Sequence, residues 1–137
     1  MNRFYNFFRI RETMAGNICH SEEEFNKKLK VECSRLVWNE QEFSLLLLTL
    51  KPAESSQKKI HKLIKKLHHR IRDIDIIGRY NNHSIGVILP YTTEKGAKGF
   101  KNKIMNSMAD LRNNAEFTLY KYFPDKNHPE KIQRKQY

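Results

Sequence analysis

The sequence predicts an α+β domain: a ferredoxin-like β-α-β-β-α-β sheet with an additional N-terminal helix. Three observations lead there. Glu42 to Leu50, EFSLLLLTL, is a continuous apolar run closed by Lys51-Pro52, as suits a central strand covered on both faces. Two later stretches, Ile60 to Ile71 and Ala97 to Met108, place apolar residues at three- and four-residue spacing, the mark of amphipathic helices. Between them, the short apolar runs Ile74 to Gly78 and Ser84 to Leu89 are separated by Arg79-Tyr80-Asn81-Asn82-His83, a polar link of hairpin composition.

At 137 residues, with 39% hydrophobic and 30% charged residues, the chain suits one domain with a sizeable core. No apolar run is long enough to span a bilayer, and Arg3, Arg9 and Arg11 interrupt the aromatic start, so signal-peptide order is missing. A cytoplasmic protein without a transmembrane segment is expected. Cys19 and Cys33 form neither a CxxC pair nor a disulfide framework, which agrees with a reducing compartment. The 26 Lys and Arg against 15 Asp and Glu give a formal charge of +11, which favours encounters with phosphates, nucleic acid or anionic surfaces. Its first reading is a generally solvated basic surface.

In chain order, residues 1–20 are an extension in which aromatic and basic residues mix without a period, with helix expected near Phe4 to Ile10. Ser21 followed by Glu24 is a capping-box signature, and Phe25, Leu29, Cys33 and Leu36 or Val37 continue it as a helix from about Glu22 to Trp38. The central strand ends at Pro52. Ile60, Leu63, Ile64, Leu67 and Ile71 then specify a helix whose other face is basic, and the hairpin follows. Thr92 or Thr93 caps the next helix, with Ala97, Phe100, Ile104 and Met108 as its buried stripe. Asn113-Asn114 ends it, and Glu116 to Tyr122 alternates as a strand up to Phe123-Pro124-Asp125. The domain is therefore placed at residues 21–125, with the helices of the ferredoxin-like unit on one face of the sheet. Residues 126–137, KNHPEKIQRKQY, are polar and basic and read as a disordered or partner-dependent tail.

The residues alone supply little chemistry. Lys58, Lys59, Lys62, Lys65, Lys66 and Arg70 could follow a phosphate backbone, but exposed aromatics for base stacking are not interleaved with them. His61, His68 and His69 lack metal-ligand spacing and an acidic partner in their helix. Ser84, Cys19 and Cys33 have no local motif that would activate a nucleophile.

The run RDIDIIGRYNNHSIGVILPYTTEKGA, Arg72 to Ala97, resembles the signature region of GGDEF domains, bacterial diguanylate cyclases that condense two GTP into cyclic di-GMP on a nucleotidyl-cyclase palm fold. The likeness spans Ser21 to Asp125, and its most specific parts are the Arg-Tyr hairpin and the Leu-Pro-x-Thr exit. Where the family reads Gly-Gly-Asp/Glu-Glu-Phe, this chain has Asn81, Asn82, His83, Ser84 and Ile85. The family's other metal-binding Asp and its companion fall at Thr49 and Lys51, and the Gly-His-x-x-Gly-Asp loop that helps bind guanine and ribose is deleted. The resemblance thus implies a degenerate domain with no catalytic residue, no metal and no cofactor, because two-metal phosphoryl chemistry needs those carboxylates. The pair Arg72-x-x-Asp75 is separated from Asn81 by five intervening residues, the spacing of the family's inhibitory cyclic di-GMP site, with Lys103 at the place of a further basic ligand.

Three functional expectations follow. The first is a catalytically inactive regulatory or interaction module in bacterial signalling, with a protein partner or self-association. The second is a cyclic di-GMP receptor using Arg72, Asp75 and Lys103. The third, ranked below these, is nucleic-acid binding through the basic helix.

Overall fold

A computed structural model describes residues 17–128 and 130–137. Asn17–Cys19 forms a short strand, β1, and Glu22–Asn39 forms helix α1. The predicted cap is in place: Ser21 Oγ accepts from the Glu24 amide at 3.1 Å, while Glu24 Oε2 accepts from the His20 amide at 3.0 Å. Phe43–Leu50 is β2, buried at every position except Thr49. A short 3₁₀ turn at Pro52–Glu54 then leads to Gln57–His68, helix α2, capped by Ser56. Strands β3 (Ile76–Asn81) and β4 (Ser84–Pro90) form the hairpin. Helices α3 (Glu94–Ser107) and α4 (Ala109–Asn114) follow, then β5 (Ala115–Pro124) and β6 (Ile132–Gln136).

The six strands lie in the order β1-β3-β4-β2-β5-β6. The inner four have the ferredoxin-like order; β1 adds to one edge parallel to β3, and β6 adds to the other edge antiparallel to β5. Alternation along β2 splits the core in two. Phe43, Leu45 and Leu47 pack with Phe25 and Leu36 of α1 on one face. Leu46, Leu48 and Leu50 pack with Ile60, Ile64, Leu67 and Ile104 of α2 and α3 on the other. The apolar run of β2 thus has a physical cause, since each face of the sheet carries its own helices.

Two glycines set the approach of α1. Gly78 and Gly86 are cross-strand partners, and a Cβ on Gly86 would lie 2.6 Å from Phe25 Cζ. One on Gly78 would lie 2.8 Å from Cys19 Cβ and 3.0 Å from Phe25 Cδ1. The fully buried Phe25 ring therefore sits in a notch that side chains would close.

Helices α2 and α3 of the ferredoxin-like unit share one face of the sheet, as the sequence predicts, and the additional helix α1 covers the other. Three details differ from the sequence reading. Part of the expected extension is β1, and the expected helix near Phe4 to Ile10 lies outside the described residues. The helix after the hairpin breaks at Met108, whose φ of −130° and ψ of 77° are not helical. The polar tail is not loose: β6 pairs with β5, Arg134 stacks over the Tyr120 ring at 4.2 Å, and the Tyr137 hydroxyl is 3.2 Å from Ser44 Oγ. Backbone pairing and cation–π contact hold a strand that has almost no apolar residues.

Candidate functional site

The hairpin has two ends of different character. At the tip, β3 and β4 leave only Asn82 and His83 as the turn, two residues in place of the five expected. Arg79 and Tyr80 belong to the strand, and a register shift falls between Arg79 and Asn81. Tyr80 is drawn inward because its ring meets Phe25 edge-on at 6.2 Å. Asn81 Oδ1 then accepts from the His83 amide at 2.9 Å, a local bond typical of Asn-led turns. The Leu50 amide donates to the His83 carbonyl at 2.7 Å, which ties the tip to the end of β2.

The positions that the resemblance marks as catalytic meet here. Thr49 and Ser84 are cross-strand partners whose hydroxyls are 3.1 Å apart. Asn81, Asn82 and His83 are exposed, whereas Ser84 and Ile85 are buried. Lys51 follows the end of β2, where its amide donates to the Asn114 carbonyl at 3.1 Å. Mg²⁺ favours carboxylate and phosphate oxygens, and a donor set of two hydroxyls, an imidazole and an ammonium does not fit it. Among the described residues, no group of three or more His, Cys, Asp or Glu is arranged to hold a metal ion.

At the base of the hairpin, Arg72 and Asp75 meet each other. Asp75 is fully buried; its Oδ1 accepts from Arg72 Nη2 at 2.8 Å and its Oδ2 from the Arg72 amide at 2.8 Å. Arg72 Nη2 also reaches the Pro90 carbonyl at 3.1 Å and Thr92 Oγ1 at 2.7 Å. The guanidinium so closes the start of β3 onto the end of β4. Lys103 is an exposed residue of α3, nine residues beyond its start, and no hydrogen bond or ion pair joins it to Arg72 or Asp75. The sequence pointed to Arg72 and Asp75 but not to Pro90 and Thr92, although the Leu-Pro-x-Thr exit contains both.

The basic helix borders a cleft of about 620 Å³ whose lining includes Lys59, Lys62 and Lys66 from α2, Arg70 just after it, and Met108 and Leu111. Part of this charge is engaged, since Lys59 Nζ donates to the Ala53 carbonyl at 2.9 Å and Arg70 reaches Ser107 Oγ at 3.3 Å. On the side of α1 turned from the sheet, Val31 and Trp38 are seven residues apart and 52% and 85% exposed. Periodicity does carry a signal for them: against the stripe of Phe25, Leu29, Cys33 and Leu36, positions 31 and 38 fall on the opposite side of the helix.

The thiols are quiet. Burial, and next the Glu24 carboxylate, push Cys19 up to about 11, and burial likewise raises Cys33. Burial raises the Glu32 carboxyl too, partly offset by Arg35 at 3.2 Å.

No protein-family model matches the chain, and no curated protein matches it in sequence. Its structure is similar to that of a DGC protein from Thermotoga maritima, at a TM-score of 0.59 and 12% identity, over 85% of this chain and 88% of that one. The likeness establishes a diguanylate cyclase-like fold. No helix among the described residues is long and apolar enough to cross a membrane.

Proposed function

We propose that this chain is a catalytically inactive GGDEF-like module that acts in bacterial signalling, in the cytoplasm, by regulating or engaging a protein partner or a second copy. The tip of the hairpin carries the reading. On a fold shared with a DGC protein, the positions that the resemblance assigns to metal and nucleotide hold Thr49, Lys51, Asn81, Asn82, His83 and Ser84. Thr49 and Ser84 spend their hydroxyls on each other, and the loop expected to grip guanine is replaced by the Pro52–Glu54 turn. Without carboxylates, the cations that screen two triphosphates have no anchor.

The partner surface belongs to the same proposal and is supported by Trp38 and Val31, because a solvated tryptophan on an outer helical face is an uncommon arrangement for a residue so apolar. The purified chain, given GTP with Mg²⁺ or Mn²⁺, is expected to form no cyclic di-GMP; turnover proportional to protein concentration would overturn the reading. Trp38 is the single tryptophan, so its emission should be that of a hydrated indole and shift to the blue when a partner covers it.

A second reading, a cyclic di-GMP receptor, has one observation in its favour: the Arg72 side chain is 51% exposed and its Nη1 has no partner among the described residues. Against it, both Asp75 oxygens are engaged inside the protein.

A further inference from the structure

Arg79 has no counter-charge in contact with it among the described residues. Its side chain lies on the α2 side of the sheet, and its Nε is shut away from solvent with no hydrogen-bond partner among the described residues. Nε itself is closed to a ligand, so the part of the Arg79 side chain that can take a partner is the part that lines the neighbouring cavity, and the complement of a guanidinium there is an oxyanion.

Beside Arg79 is a cavity of about 250 Å³ between β1, α2 and β3. Ile60 and Ile64 of α2 provide apolar wall, and the polar side chains around it are Arg79, His20, Gln57 and His61. Among the described residues no carboxylate lines it. Gln57 is the first residue of α2, so the cavity borders the positive end of that helix dipole. Its polar residues come from three segments, the one after β1, the start of α2, and β3. A tetrahedral oxyanion can meet them all, whereas a planar carboxylate uses two parallel donors best. The volume corresponds to about eight waters at roughly 30 Å³ each, enough for one phosphate group with part of an attached small molecule and too little for a dinucleotide.

We propose that this cavity is a binding site for a single phosphate group, held by Arg79 with His20, His61 and Gln57. It is separate from the Arg72–Asp75 clamp and from the α2 cleft, and it does not depend on whether the chain turns over GTP. The bound group would join the edge strand β1 to α2 and β3, so occupancy would tighten that edge of the sheet. A small phosphorylated effector, or free phosphate, would then set the state in which the module meets its partner.

The test is calorimetric titration of the full chain with inorganic phosphate and, separately, with glycerol 3-phosphate, in about 0.15 M NaCl, where exposed charges are screened beyond roughly 8 Å. Saturable one-to-one binding is expected, at least tenfold weaker in Arg79→Gln and several-fold weaker in His61→Ala, which alters an exposed residue and leaves the core intact. Lys66→Ala, in the α2 cleft, should bind as the wild type does. Hydrogen exchange should slow at Cys19 and at the first turn of α2 on binding. Tighter binding of the ester would identify a phosphorylated metabolite as the natural occupant, and tighter binding of phosphate the free ion. No saturable binding at millimolar concentration would overturn the proposal. So would equal binding by His61→Ala and a folded Arg79→Gln, or an equal loss in Lys66→Ala.

Discussion

The two ends of the β3–β4 hairpin differ in how they use polar side chains. At the base, one arginine and one buried aspartate exchange several hydrogen bonds, and the same guanidinium reaches across to Pro90 and Thr92. At the tip, three exposed residues in a row are fixed by one side-chain bond, from the His83 amide to Asn81 Oδ1. In an active cyclase of the family that this chain resembles, the tip would hold the chemistry and the base would offer Arg and Asp to a ligand. Here the base is turned inward and the tip is an ordinary Asn-led turn. The difference teaches that this hairpin is held at its base by contacts within the chain, from Arg72 to Asp75, Pro90 and Thr92, while its tip needs only a local turn.

The largest effect should come from breaking the base. Arg72→Ala takes the half-exposed guanidinium from the buried Asp75 carboxylate, which keeps only the residue-72 amide on Oδ2, and about 2–3 kcal/mol of stability should be lost in urea denaturation. Asn82→Ala and His83→Ala at the tip should each stay within about 0.5 kcal/mol of the wild type. A base variant as mild as the tip variants would erase the contrast.

Between the ends lies the glycine notch, and it should respond next. Gly86→Ala forces the Phe25 ring to move and should cost about 1–3 kcal/mol, the usual range for overpacking. Phe25→Leu should relieve part of that cost, so the double variant will be more stable than the sum of the single losses. Strict additivity would mean that the ring and the notch do not define the seat of α1.

A smaller effect of opposite sign is expected at Glu32. Burial holds its carboxyl above the ordinary range, so between an unfolded value of about 4.3 and the higher folded one the native chain binds more protons. Stability therefore falls as pH rises through that window, and the deficit persists at neutral pH. Glu32→Gln should melt above the wild type at pH 7, and the gap should close below about pH 4. Last, Cys19 and Cys33, both held as thiols, should not react with an aromatic disulfide reagent at neutral pH until the chain is unfolded.

Much of the fold was legible because its signals are local. The EFSLLLLTL run, the Ser21–Glu24 cap and the stripe of α2 each state their element within a dozen residues. What escaped depends on distant partners. Three residues are too few to show a period, so β1 exists only through its parallel pairing with β3. The sequence IQRKQ has the composition of a tail and becomes β6 because β5 offers an open edge. Tyr80 reads as turn until Phe25 is known to lie beneath it. At the site, the tip residues and the Arg72–Asp75 pair could be marked from the signature spacing, but the pair's inward use depends on Pro90 and Thr92, which arrive from the far end of β4. Arg79 was marked only as a hairpin residue, since its cavity is assembled from three separate elements.

The two ends meet in one claim: Arg72 and Asp75 serve each other and not a nucleotide. Calorimetric titration of the chain with cyclic di-GMP tests it most directly. The expected result is no saturable heat at millimolar ligand. Saturable binding that Arg72→Lys weakens while the chain stays folded would contradict it, and would make the base of the hairpin a receptor site.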